Sequence, residues 1–191
     1  MPTFTLHTEE TAPEQSKPTM KMVKDRYGFV PNLTRSFAES PELNEGYWAL
    51  SDLFDRTDLS PAEREVILMS NNRLNGCHYC MAAHTLDAKM SGVPEDVIDA
   101  LRKGTPIADP KLEVLRKFAI KMNQSRGYVS NEDMDELLAA GYTNRTIFDV
   151  VLGTGLKVLS NYTNHVANTP VDEIFMKTAW SPDEVVETED A

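Results

Sequence analysis

Residues 60–94 read SPAEREVILMSNNRLNGCHYCMAAHTLDAKMSGVP, and their punctuation decides the fold class. Ser60-Pro61-Ala62-Glu63 is a capping box with proline at the first helical position, and Val66, Ile67, Leu68, Met69 and Leu74 follow it. Asn75-Gly76 ends that helix, and Cys77 stands at the start of the next, which Ser91-Gly92-Val93-Pro94 stops after about Met90. Two helices therefore meet at a tight turn beside the chain's only two cysteines. Cys80 and His84 follow Cys77 by three and seven positions, so both thiols and an imidazole project from one stripe of the second helix. Glu65 lies in the early turns of the first.

Outward from this pair the periodicity stays helical. Residues 13–27, 32–39 and 41–56 read as helices, the last opening at Ser40-Pro41-Glu42. Pro94-Glu95-Asp96 opens one to about Lys103, and Asp109-Pro110 opens one carrying Leu112, Leu115, Phe118, Ala119 and Met122. Ser130 caps a short helix that Gly141 closes. Thr143 opens a long final helix, where Ile147, Val150, Val151, Val158, Tyr162 and Val166 form the expected buried stripe and His165 is expected to face inward. Gly153 and Gly155 interrupt this helix at about 1 kcal/mol each relative to alanine, which calls for close helix approach or room for a substrate. No alternating strand run stands out, so the fold class is all-α. The expected organisation is an arm over residues 1–12, one helical domain over 13–180 and an acidic tail over 181–191.

At 191 residues the chain suits one well-buried core. A net charge of −11 without clustered bases excludes nucleic acid as the expected partner. No apolar run reaches the twenty or so residues of a membrane span. The start, Met1-Pro2-Thr3-Phe4-Thr5-Leu6-His7, lacks the basic end and apolar centre of a signal peptide, so a cytoplasmic location is expected. In a reducing compartment a CxxC is more often catalytic or metal-binding than structural. The tail acids Asp183, Glu184, Glu187, Glu189 and Asp190 read as a solvated end.

Three readings of the cysteines are open from spacing: inert buried thiols, a zinc site adding His84 and either His78 or Glu65, or a redox pair. The redox reading has a chemical requirement. A thiolate attacks peroxides and disulfides, so a thiol with an ordinary pKa near 8.5 must be lowered, by a helix N-terminus or an imidazole. A second cysteine three residues away can then close a disulfide and spare the first from over-oxidation.

Glu65, eleven residues, Cys77-x-x-Cys80, three residues, His84 resembles the peroxidase branch of the alkylhydroperoxidase D / carboxymuconolactone decarboxylase superfamily. Gly28-Phe29-Val30-Pro31-Asn32-Leu33 and Asn161-Tyr162-Thr163-Asn164-His165 are similar to its peroxidase-related members. The resemblance implies a single-domain helical bundle and a peroxidase without cofactor or metal. In it Cys80 is peroxidatic, Cys77 resolving, and Glu65 and His84 relay protons. It also implies a small organic or hydrogen peroxide substrate, a lipoylated or thioredoxin-like dithiol reductant and a homo-oligomer. Best-known members carry histidine second inside the CxxC; here His78 is first and Tyr79 second. His78, Tyr79, Asn161 and His165 are candidate accessory residues. The alternatives are lactone processing, as in the namesake branch, which generally lacks the CxxC, and a redox sensor that does not turn over.

Overall fold

The computed structural model describes residues 4–182. Nine α-helices run along it: α1 Lys17–Tyr27, α2 Asn32–Phe37, α3 Pro41–Asp55, α4 Pro61–Leu74, α5 His78–Met90, α6 Glu95–Lys103, α7 Pro110–Gln124, α8 Asn131–Ala139 and α9 Asn144–Ala167. Short 3-10 segments cover Glu14–Ser16 and Glu173–Thr178, and no strand occurs among the described residues. The chain is all-α, as expected. The stretch expected as one helix over 13–27 is divided, its first residues taking the tighter 3-10 turn before α1. The acidic tail acids lie outside the described residues.

Local chemistry fixes the ends. Ser60 Oγ accepts from the Glu63 N–H at 3.3 Å while the Glu63 carboxylate accepts from the Ser60 N–H at 2.8 Å, completing the capping box of α4. Asp109 accepts from the N–H groups of Lys111 and Leu112 to cap α7, and Ser130 with Asp133 forms the box of α8. Gly76 has φ of 64°, a left-handed turn that a Cβ would disfavour, and it swings the chain from α4 into α5.

Helix α4 is the centre of the molecule, packed on α5, α6, α7 and α9. Every side chain from Glu65 to Asn72 is buried, which is why its apolar residues run consecutively rather than in a stripe. Around it Phe54, Met81, Ile98, Leu101, Leu115, Leu137 and Val150 complete the core.

Helix α9 departs from its expected stripe. Its inner face is Val150, Gly153, Leu156, Lys157, Ser160, Asn161 and Asn164, while Val151, Tyr162, His165 and Val166 are exposed. The polar side was taken inward because its partners are polar. Asn161 Nδ2 donates to Asn72 Oδ1 at 3.0 Å, Asn75 Nδ2 donates to Asn161 Oδ1 at 2.9 Å, and Asn123 of α7 donates to Asn71 Oδ1 at 2.7 Å. Burying an amide costs free energy that such hydrogen bonds offset. Gly153 answers the glycine question: a Cβ there would stand 2.7 Å from Ile67 and 2.9 Å from Phe54, so its role is close packing on α3 and α4.

Candidate active site

Cys77 is the N-cap of α5, and Cys80 lies in its first turn. Both are free thiols, 1% and 2% exposed. Helix α9 covers them with an amide: Asn164 Nδ2 donates to Cys80 Sγ at 3.2 Å and reaches Cys77 Sγ at 3.7 Å. Asn72 Nδ2 donates to the Cys80 carbonyl at 3.3 Å, tying the asparagine network to the same residue.

The two sulfurs differ in electrostatics. Burial opposes charge on Cys80, but a hydrogen bond from Cys77 and the charges of Lys157 and His84 outweigh it, with help from Ser160. The Cys80 thiol is held well below its ordinary 9.0. Cys77 is pushed up, first by donating its hydrogen to Cys80 and then by burial. The first turn of α5 adds the positive end of the helix dipole. The surroundings thus favour Cys80 over Cys77 as the thiolate of the pair.

Glu65 and His84 come together as the spacing anticipates. Glu65 Oε2 accepts from His84 Nδ1 at 3.0 Å. The other nitrogen of His84 meets a residue the sequence reading missed: Lys157 Nζ stands 2.9 Å from His84 Nε2 and is 0% exposed. Burial works against its charge, but Cys80, Tyr47, Cys77 and Glu65 together raise its pKa above the ordinary value. With an ammonium on Nε2, the ring proton belongs on Nδ1, pointing at Glu65. A lysine inside a helix reads as surface by default; the available signal was that Gly153, Lys157, Asn161 and Asn164 share one face of α9.

A pocket of about 400 Å³ opens onto Cys80, His84 and Lys157. Tyr27, Phe29, Tyr47, Trp48, Phe54 and Phe175 line it, with Glu65, Arg64 and Asp87 among its polar groups. Burial pushes the Tyr47 phenol up to about 12, so it stays a neutral wall. Tyr79 also lines the pocket, and its hydroxyl donates to Asp172 at 2.5 Å while accepting from the Leu33 N–H at 3.1 Å. It thereby ties α2 and the C-terminal segment to α5.

The remaining candidates lie elsewhere. His78 is exposed, its Nδ1 3.0 Å from the Trp180 carbonyl, on the side of α5 away from the pocket. Asn161 is buried in the asparagine network, one turn from the sulfurs. His165, expected to face inward, is exposed because the inner face of α9 passes through Asn161 and Asn164 instead. Glu65 and Lys157 take both nitrogens of His84, and among the described residues no group of three His, Cys, Asp or Glu is placed to hold a metal.

The profile of the carboxymuconolactone decarboxylase family matches residues 41–120, the stretch holding α3, α4 and the CxxC helix. Within residues 41–120 the chain is similar to that family. Its fold is similar to that of an alkylhydroperoxidase AhpD core, an uncharacterised peroxidase-related protein from Ralstonia eutropha JMP134. The TM-score is 0.80 and the identity 23%, over 90% of this chain and 93% of that one. A peroxidase-related protein from Silicibacter sp. TM1040 is similar at TM-score 0.72 and 23% identity, over 86% and 88% of the two chains. A cysteine-to-alanine variant of the debrominase Bmp8, in complex with 2,3,4-tribromopyrrole, is similar at TM-score 0.72 and 19% identity, over 86% and 89%. No curated protein matches the sequence significantly. At these identities the likenesses show the fold alone, and a fold does not by itself fix a chemistry.

Proposed function

We propose that the chain is a thiol peroxidase that reduces organic hydroperoxides or hydrogen peroxide with its Cys77–Cys80 pair. The observation that carries this reading is a sulfur favoured as thiolate, with a thiol beside it, at a pocket large enough for an organic molecule. The Cys80 thiolate attacks the terminal peroxide oxygen. A sulfur–oxygen bond forms as the oxygen–oxygen bond breaks, giving a sulfenic acid and an alkoxide that takes up a proton and leaves as alcohol. The Cys77 thiol then displaces the sulfenic oxygen as water, and a disulfide remains. A dithiol restores both cysteines and becomes a disulfide itself; a lipoylated or thioredoxin-like protein is the proposed reductant. Glu65 and His84 belong to the proton relay. We also propose a homo-oligomer, which light scattering on the purified protein checks.

Steady-state turnover tests the reading: tert-butyl hydroperoxide with dihydrolipoamide or reduced thioredoxin should give many cycles, abolished by Cys80→Ser. Stoichiometric oxidation that neither dithiol reverses would make the protein a redox sensor instead.

The aromatic lining supports a second reading, reductive removal of halogen from a halogenated aromatic ring, the kind of molecule in the debrominase complex. There the dithiol would supply two electrons and a proton, breaking the carbon–halogen bond and releasing halide as the disulfide forms. Halide release from a brominated pyrrole, faster than hydroperoxide loss, would favour it.

A further inference from the structure

We propose that Lys157 is the proton carrier of the site: it accepts the proton of the Cys80 thiol and delivers it to the oxygen that leaves the peroxide. This deepens, and rests on, the thiol peroxidase reading. The Glu65–His84 pair then stands behind the amine in the relay and holds it in place.

Three observations support the assignment. His84 is engaged at both nitrogens, Nδ1 by Glu65 at 3.0 Å and Nε2 by Lys157 at 2.9 Å, so its only lone pair points at the lysine. Lys157 is fully buried, yet of the three N–H donors of an ammonium His84 engages one, leaving two for the pocket floor that it shares with Cys80. A buried ammonium also needs a countercharge, and the nearby thiolate provides it, each raising the other's preference for its charged form. The pocket that Lys157 and Cys80 line also carries the titratable groups Tyr27 of α1, Tyr47 and Asp55 of α3, Arg64 and Glu65 of α4, and Tyr79, His84 and Asp87 of α5, with Cys77 at the N-cap of α5 acting on the lysine as well. Of these Arg64, on the same pocket, is the other fixed cation, and its guanidinium does not release a proton near neutrality.

The cycle balances. The resting pair is ammonium and thiolate. Attack on the hydroperoxide yields the Cys80 sulfenic acid and an alkoxide; the ammonium protonates the alkoxide, leaving alcohol and a neutral amine. Condensation with the Cys77 thiol releases water and needs no further proton. Reduction of the disulfide by a dithiol returns two thiols, and Cys80 gives its proton to the amine, regenerating the resting pair.

Lys157→Met and Lys157→Arg, each checked for native far-UV circular dichroism, separate charge from proton delivery. Thiolate absorbance at 240 nm should titrate about 1 to 3 pH units higher in Lys157→Met than in the wild type. Lys157→Arg, if folded, should stay close to wild type, because it keeps the charge. Single-turnover oxidation, compared per thiolate, should fall about 100-fold or more with tert-butyl hydroperoxide in both variants, since its alkoxide needs a proton donor. With peracetic acid, whose leaving acetate needs none, the change should stay within about tenfold. A Lys157→Met protein with wild-type titration and wild-type rates for both peroxides would overturn the proposal while leaving the peroxidase reading intact. Wild-type protein inert to both peroxides would instead end the peroxidase reading, and proton delivery with it.

Discussion

Cys80 and Cys77 are the same residue type three positions apart, and their surroundings give them opposite tendencies. Because Cys80 is lowered and Cys77 raised from 9.0, one thiolate should absorb at 240 nm at neutral pH, and Cys80→Ser should remove it. The sign follows from the charge. A lowered Cys80 is already deprotonated below its ordinary range, so its alkylation rate should stay level as pH falls from about 9 to about 7 and drop only in acid. Asn164→Asp tests the amide over the sulfurs. A carboxylate there would repel the thiolate and raise its pKa, so the acid-side fall in alkylation rate should begin at a higher pH than in the wild type. At this scale spacing grouped Glu65, Cys77, Cys80 and His84, because one helix and its neighbour set their distances, and the family resemblance gave them their expected roles. The sequence did not announce Lys157, and it marked the segment holding Asn164 without singling that residue out; both come from a helix more than seventy residues away.

The ends of the helices were legible because capping is local: proline at the first helical position and a serine or aspartate before it act within four residues. The face of α9 was not. Counting apolar residues selected Ile147, Val150, Val151, Val158, Tyr162 and Val166, of which Val150 is buried and Ile147 packs on the core, but Val151, Tyr162 and Val166 are exposed. Burial instead followed Gly153 together with Lys157, Ser160, Asn161 and Asn164, polar types that ordinarily face water. Those side chains are buried because α4 and α5 offer them amides, a histidine and two sulfurs. Gly153 lets that face approach. Gly153→Ala should therefore destabilise the fold by about 1–3 kcal/mol, read as a lower urea midpoint at unchanged slope. Gly155, with open space where its Cβ would lie, should tolerate alanine without this loss.

Across the whole molecule, the site depends on segments distant in sequence being drawn onto α5. Phe29 and Leu33 precede it by over forty residues, and Phe175 and Asp172 follow Tyr79 by over ninety. The 3-10 turn Glu173–Thr178 is too short to show a period, so nothing in its residues announced that it would wall the pocket. Tyr79 is the joint, bridging the Leu33 N–H and Asp172. Tyr79→Phe should cost about 1–3 kcal/mol and speed amide exchange over residues 29–37 and 172–178, leaving the core helix α4 protected. Among the described residues no helix is long and apolar enough to cross a membrane, and the buried apolar side chains divide between the core and the pocket wall. The measurement that tests the central claim most directly is intact mass and free-thiol count of reduced protein before and after one equivalent of organic hydroperoxide. Cys80→Ser and Cys77→Ser are run alongside. The account predicts rapid loss of both thiols with disulfide formation in the wild type, a trapped sulfenic acid in Cys77→Ser and no reaction in Cys80→Ser. Persistence of both thiols under excess hydroperoxide would contradict it.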